Sequence, residues 1–126
     1  MFEKLEMVRM AQAMAAHAGA RQEAIARNVA NADTPGYKAV DLPAFAKAYA
    51  PPGGSMRATR PAHLTASDRT MDLTPRVQGG AASPNGNSVS LEGEMVKAVE
   101  VRQQHDMALA IYRSTSKILR TSLGRG

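Results

Sequence analysis

A helical pattern that runs into an obligatory turn is the feature that most constrains the folding of this chain of 126 residues. The string covers residues 26–38 and reads ARNVANADTPGYK. Pro35 disfavours the α conformation at Thr34, so a helix must end near Asp33. Pro35 and Gly36 fit the two central positions of a type II turn, because proline sets a negative φ and glycine accepts a positive one. The sequence therefore predicts a long helix that stops at a defined point.

Apolar residues recur every three or four positions in residues 1–32 and again from residue 91 onward, a spacing typical of helices. In the first segment they form a heptad-like stripe. The predicted packing positions are Val8, Ala11, Ala15, Ala18, Ile25 and Val29 in the first helix, and Val99, Met107, Ile111 and Ile118 in the second. Ser90 is placed to cap the second helix. Polar residues interrupt both stripes, and they either fix register in a buried seam or lie in solvent.

The middle of the chain, residues 33–90, contains all seven prolines and no lasting period. We expect an irregular segment with a short helix at 42–50 and strand-like pieces near 63–66 or 70–73. Compact domains seldom keep so long a loose segment, so we expect it to be disordered alone or laid over a partner, with ordering on assembly.

The predicted fold class is all-α, with long N- and C-terminal helices packed as a coiled-coil-like pair and joined by the irregular segment. The chain is expected to be a single domain, residues 1–126, made of a helix at 1–32, the irregular segment at 33–90 and a helix at 91–126.

Composition predicts that this chain depends on partners for stability. Leu, Ile, Val and Phe make up only 17% of the residues, whereas 23 residues are alanine. Alanine buries little apolar surface, so a monomer of this composition should be marginally stable unless neighbouring molecules supply contacts.

Charge and targeting signals narrow the function only partly. The net charge of +5 is spread over the whole chain, which argues against nucleic-acid binding, an alternative that salt-dependent affinity for duplex would test. No apolar run is long enough to span a membrane, and the first residues lack a secretory signal. The protein is thus expected either to stay inside the cell or to leave it without a cleaved signal.

We find no residue pattern that indicates an enzyme, a cofactor or a metal site. Cysteine is absent, and the three histidines, His17, His63 and His105, share no ligand spacing. The glycine-rich stretches lack the residues of phosphate-binding and dinucleotide-binding loops.

Asn28 and Asn31 are three residues apart and therefore lie on neighbouring parts of one helical face. Each amide both donates and accepts hydrogen bonds, so the pair fits contacts with adjoining subunits or with the following turn. The other interpretation is that they are polar residues of a fraying helix end.

Residues 26–38 resemble the signature of the bacterial flagellar rod and hook proteins. The string NGNSVSLEGEM at residues 85–95, followed by Tyr112 and by KILRTSL at 117–123, is similar to proteins of the proximal rod. Gly93 departs from the charged or polar residue expected there. The resemblance covers both terminal segments, about half of the chain.

This resemblance implies a structural subunit of the basal-body proximal rod, which assembles helically with copies of itself and other rod proteins into a torque-transmitting shaft. It also implies contacts with the inner-membrane ring and rod-adaptor proteins, and export by the flagellar type III apparatus, without a cleaved signal, to the periplasm-spanning rod. Neither nucleic-acid binding nor direct membrane insertion is implied. The assembly and turn residues are Asn28, Asn31, Thr34, Pro35, Gly36 and Tyr37. The alternative is a cytoplasmic helical adaptor or export chaperone, which would be a stable soluble dimer.

Overall fold

The computed structural model describes residues 2–49 and 71–124. In chain order the elements are α1 (Phe2–Ala30), β1 (Val40–Asp41), α2 (Phe45–Ala48), β2 (Arg76–Val77) and α3 (Leu91–Gly124). The helices α1 and α3 contact each other along their length and run antiparallel, because residues late in α1 meet residues early in α3. The predicted class, two long terminal helices in contact and a middle segment with short strands, is confirmed.

The predicted turn forms immediately after α1. The helix ends at Ala30, three residues before Asp33, and residues 31–36 continue as turns. Tyr37 N–H donates to Thr34 O at 3.2 Å, and Gly36 has a φ of 77°. These are the closing bond and the positive φ of a type II turn, so this prediction is confirmed.

The predicted cap of α3 is also present. Ser90 Oγ accepts a hydrogen bond from Gly93 N–H at 3.1 Å, and Ser90 O accepts one from Glu94 N–H at 2.8 Å. Two acidic residues, Glu92 and Glu94, lie in the first turn, where they favour the helix dipole. Gly93 therefore does not prevent a capped start.

The strands of the middle segment differ from the prediction. β1 and β2 pair antiparallel in the register Val40↔Val77 and Asp41↔Arg76. Of the predicted strand pieces, 63–66 and Thr70 lie outside the described residues, and 71–73 have no strand structure. Strands of two residues are too short to leave an alternating pattern in a sequence. The predicted short helix corresponds to α2.

Parts of the middle segment contact each other within the chain itself, and ordering of the segment on assembly stays a prediction. Gln78 N–H donates to Ala39 O at 2.9 Å beside the strand pair, and Ser88 N–H donates to Tyr37 O at 3.0 Å. These bonds join the chain just after α1 to the chain just before α3.

The seam between α1 and α3 is narrow and built mostly of small or polar residues, with Ile25 and Val101 as its larger apolar residues. Its buried α3 residues recur every seven positions and are Glu94, Val101, Ala108 and Thr115. On α1, Ala11, Ala18 and Ile25 are buried at the same interval. Ala18, Ile25 and Val101 form the contacting apolar cluster of the described residues. A seven-residue repeat on both helices is the pattern of coiled-coil packing.

Most of the packing positions predicted for α3 lie away from this seam. Val99 is 59% exposed and Met107 is 55% exposed, and Ile118 and Val29 of α1 are also exposed. Val8, Ala15 and Ile111 are half-buried. Packing of the exposed residues against another subunit stays a prediction.

None of the helices in residues 2–49 and 71–124 combines the length and the apolar character needed to cross a membrane.

Candidate functional site

Asn28 is the centre of a buried polar contact between α1, β1 and α3. Its side chain is fully buried, and Nδ2 donates to Val40 O at 2.8 Å and to Glu94 Oε1 at 2.9 Å. Its Oδ1 accepts from Tyr37 O–H at 3.0 Å and from Val40 N–H at 2.9 Å. All four hydrogen-bonding positions of one amide are therefore used within the chain.

Asn31 has a more local role than Asn28. Its Nδ2 donates to Arg27 O at 2.9 Å, and its Oδ1 accepts from Thr34 O–H at 3.1 Å. These bonds satisfy a carbonyl at the end of α1 and hold the first residue of the type II turn. The sequence left two kinds of contact open for Asn28 and Asn31, with adjoining subunits or with the following turn. The structure shows the contacts with the turn.

Asn87 joins this turn to the segment that precedes α3. It is buried, and its Nδ2 donates to Asn31 O at 2.9 Å and to Thr34 O at 2.7 Å, while its Oδ1 accepts from Val89 N–H at 2.8 Å. A side chain from the segment before α3 thus supplies donors to the carbonyls that follow α1.

Two glycines allow the segments to approach each other closely. Gly36 N–H donates to Asn85 O at 2.9 Å. Gly86 has a φ of 87°, and a Cβ at this position would lie 3.3 Å from Gly36 Cα. We call the contact of residues 31–42 with residues 83–90, with the helix ends that hold it, the clasp.

A series of four charged side chains, each in contact with the next, closes the clasp. Arg21 binds Asp41 with two hydrogen bonds, Nε to Oδ1 at 2.9 Å and Nη2 to Oδ2 at 3.0 Å. Lys97 Nζ lies 3.7 Å from Asp41 Oδ2 and 3.2 Å from Glu94 Oε2. These four residues link α1, β1 and α3, and two of them are acidic and two are basic.

The neighbours of Asp41 determine the direction in which its pKa shifts. Burial by itself would raise the pKa of its carboxyl group, but hydrogen bonds from Arg21 and from Leu42 N–H, with the charges of Arg21 and Lys97, outweigh burial and lower the pKa below its usual value. The same ion pair raises the pKa of Arg21. The pair is therefore charged whenever the clasp is closed near neutral pH.

His17 connects the clasp to the middle of the helical pair. It is fully buried, and its Nε2 donates to Pro43 O at 2.7 Å, so its Nδ1 accepts from Gln104 Nε2 at 2.9 Å. Phe45 of α2 packs edge-on against the imidazole, with ring centroids 5.6 Å apart. These contacts fix the chain that follows β1 against both long helices.

The clasp has the chemistry of a rigid joint. Among the described residues, every buried side-chain nitrogen or oxygen has a hydrogen-bond partner, and no three histidine, aspartate or glutamate side chains are grouped as metal ligands. Its polar groups are therefore committed to each other and fix the path of the backbone.

The opposite end of the helical pair, which we call the open end, consists of the first half of α1 and the second half of α3. Its inner surface is an apolar groove of about 230 Å³, lined by Ala11, Gln12, Ala15, Ala108, Leu109 and Tyr112. Leu5, Met7, Ile118 and Leu123 are exposed there.

Comparison with known proteins finds similarities that include the α1 side of the clasp. Residues 11–38 match the family model for the flagella basal body rod protein. The chain is also 29% identical, over 130 aligned residues, to the flagellar basal body rod protein FlgB of Agrobacterium fabrum; the alignment covers 98% of this chain and 96% of that protein. The predicted family resemblance is confirmed.

Both similarities are to proteins of the flagellar basal-body rod. The matched residues 11–38 contain Asn28, the type II turn and both α1 side chains, His17 and Arg21, that hold the chain after the turn. The matched residues therefore include the α1 side of the clasp and also part of the groove at the open end.

The sequence predicts Asn28, Asn31 and the turn residues of the clasp but not the residues that bind them or the ion pair beside them. Asn87, Glu94, Asp41 and Arg21 were not among the predicted site residues. The available signal was the string at residues 85–95, which contains two of them and which carried the resemblance to proximal-rod proteins.

Proposed function

We propose that this protein is a subunit of the proximal rod of the bacterial flagellum and assembles head to tail with copies of itself and with other rod proteins. Contacts that do not close into a ring generate a filament, so one set of surfaces both stabilises the subunit and builds a shaft. We propose further that it contacts the inner-membrane ring and rod-adaptor proteins and is exported through the flagellar type III apparatus without a cleaved signal.

The observation that carries this proposal is the distribution of apolar surface. The seam between the helices buries mostly alanine and polar residues, together with Ile25 and Val101, whereas other apolar side chains of α3 face outward: Met95 is 68% exposed, and Val96 and Val99 are each 59% exposed. Burial of such residues contributes about 1.5–3 kcal/mol each. A neighbouring subunit that covers them would add stability that the isolated chain lacks.

The clasp supports a shaft protein for a second reason. It fixes the angle between α1, the middle segment and α3 through buried hydrogen bonds and ion pairs, which break abruptly instead of stretching. A joint of this kind holds the subunit's shape when torque is applied to it.

The decisive experiment is imaging of basal bodies from wild-type cells and from a strain that lacks the gene. We expect the rod to be missing in the deletion strain and to contain this chain, at side-chain resolution, in its innermost layer in the wild type. Intact rods and normal swimming in the deletion strain would contradict the proposal.

A substitution in the turn tests the role of the clasp in assembly. Replacing both Pro35 and Gly36 with alanine removes the turn chemistry and allows α1 to run on. We expect the variant to be secreted but to assemble poorly, because the chain after the turn is misplaced. Normal assembly of this variant would show that the turn has no such role.

A further inference from the structure

The outward side of α3 carries opposite charge in its two halves. Residues 91–106 contain four acidic and two basic residues, whereas residues 107–124 contain three basic residues and no acidic one. Besides exposed Arg102, which offsets part of the negative charge of residues 91–106, the exposed charged side chains are Glu92, Glu100 and Asp106 in that range and Arg113, Lys117 and Arg120 in residues 107–124. None of these side chains forms an ion pair within residues 2–49 and 71–124.

Both sets of charges lie away from the seam. The buried residues of α3 recur at intervals of seven, and the side opposite to them carries Val96, Val99 and Lys117. The basic residues are spaced four and three apart, so they form one stripe along the helix. Charges in this arrangement are available to another molecule without breaking the α1–α3 contact.

Exposed apolar residues occur in both halves of α3, and in the basic half they include Met107 and Leu123. Met95, Val96 and Val99 are all more than half exposed and lie between Glu92 and Glu100. The basic half offers long arginine and lysine side chains, whose methylene groups cover apolar surface while their charged ends reach nearby carboxylates. One half of α3 is therefore complementary to the other half in charge, and both halves offer apolar surface for the contact.

We propose that the acidic half of α3 binds the basic half of α3 of a second copy of this chain, with the two helices parallel and displaced along their axes. The centres of the two charged sets are about 18 residues apart, which corresponds to a displacement of about 27 Å in an α-helix. The parallel arrangement rests on the proposed head-to-tail assembly, because an antiparallel pair would satisfy the same charges in a closed dimer.

Two charge-reversal variants test the contact in the full-length protein. The first is Glu100→Lys with Asp106→Lys, and the second is Arg113→Glu with Lys117→Glu. Each turns the attraction between copies into repulsion, so at low salt we expect about tenfold weaker self-association in sedimentation velocity. A mixture of the two variants restores both complementary contacts, and we expect it to associate within about twofold of the wild type.

The matched control for the first variant raises the net charge by the same amount through substitutions on α1. Glu3→Lys with Glu23→Lys alters two exposed residues away from α3 and should leave association close to that of the wild type. Circular dichroism establishes that every variant keeps its helices. A wild type that stays monomeric at low salt, a control that weakens association equally, or a mixture that does not recover would each overturn the proposal.

Disulfide cross-linking distinguishes the parallel contact from the closed dimer. The chain has no cysteine, so introduced thiols report only the chosen positions. A displacement of 18 residues brings Val96 of one copy beside Ser114 of the next, so a mixture of Val96→Cys and Ser114→Cys proteins should form heterodimers on oxidation. Ala110 lies near the centre of the antiparallel pair, and efficient self-cross-linking of Ala110→Cys would overturn the parallel arrangement.

Failure of this contact is distinguishable from failure of the proposed function. If the gene deletion removes the rod but the charge-reversed mixture does not recover, the protein is a rod subunit whose copies meet through another surface. If rods persist in the deletion strain, the rod function is wrong whatever the α3 contact does.

Discussion

At the clasp, a single amide, Asn28, makes four hydrogen bonds to three parts of the chain, whereas at the open end Ala11 and Ala108 line an apolar groove. A buried polar network tolerates only one arrangement, because any shift leaves charged or polar groups without partners. Alanine contacts bury little surface and tolerate small displacements. The difference indicates that the clasp determines the geometry of the subunit, while the open end stays adaptable to neighbouring molecules.

Replacing Asn28 with alanine should give the largest loss of stability. The change leaves Val40 N–H and O without their partners and removes the neutral donor to buried Glu94, so we expect the free energy of unfolding to fall by about 3 kcal/mol. Chemical denaturation measures the loss. The control is Asn31→Ala, which removes two local hydrogen bonds and should cost about 1 kcal/mol. Equal losses of stability for the two variants would show that Asn28 contributes no more to folding than Asn31 does.

Replacing Asn87 with alanine should have the next largest effect. Two carbonyls after α1 would lose a buried donor, and we expect a loss of about 2 kcal/mol. The matched control is Asn85→Ala, an exposed residue whose side chain accepts one hydrogen bond, from Asn87 N–H. Hydrogen exchange should become faster at Ser88 N–H, which bonds Tyr37 O across the clasp. Unchanged exchange there would show that Asn87 does not hold the two segments together.

A residue of the clasp could be predicted from the sequence when it acts on its neighbours in the chain, but not when it acts on distant residues. The type II turn and the Ser90 cap follow from local chemistry, because Pro35, Gly36 and Ser90 restrict or satisfy the backbone within a few residues. Asn87 could not be predicted in this way, since it acts on carbonyls more than fifty positions earlier in the chain. A partner so distant is determined by the tertiary fold alone.

The buried side of α3 escaped prediction for a related reason. A hydropathy pattern places the most apolar stripe inside, but the residues that face α1 include Glu94, Ala108 and Thr115. Glu94 is buried because Asn28 and Lys97 satisfy its carboxylate. The apolar stripe that the pattern detected, including Val99 and Met107, faces outward, as expected of a surface that a second molecule covers.

Acid should weaken the clasp more than the open end, with a smaller effect than either asparagine substitution. The folded-state pKa of Asp41 lies below its unfolded value, so its ion pair stabilises the protein fully above about pH 4, and this contribution is lost as pH falls through the folded-state pKa. We expect the stability difference between the wild type and Asp41→Asn to shrink in that range. A difference that is constant with pH would show that the Arg21 ion pair contributes nothing.

Replacing Gly19 with alanine should give the smallest change, and it is the one expected to stabilise. Gly19 lies in α1 between the clasp and the open end, it is exposed, and a Cβ there would meet no atom within 4 Å. Alanine favours a helix interior by about 1 kcal/mol over glycine, so the free energy of unfolding should rise by that amount if both halves of α1 unfold together.

The reciprocal change, Ala16→Gly, lies one turn nearer the open end on the same exposed side and tests whether the two halves are coupled. If α1 unfolds as one unit, it should cost about as much as Gly19→Ala gains. If the open half frays independently of the clasp, Ala16→Gly should barely change global unfolding and should instead speed hydrogen exchange in residues 3–16. The second result would mean that the isolated subunit is rigid only at the clasp, and that the open half of α1 becomes rigid when another molecule fills the groove beside Ala11 and Tyr112.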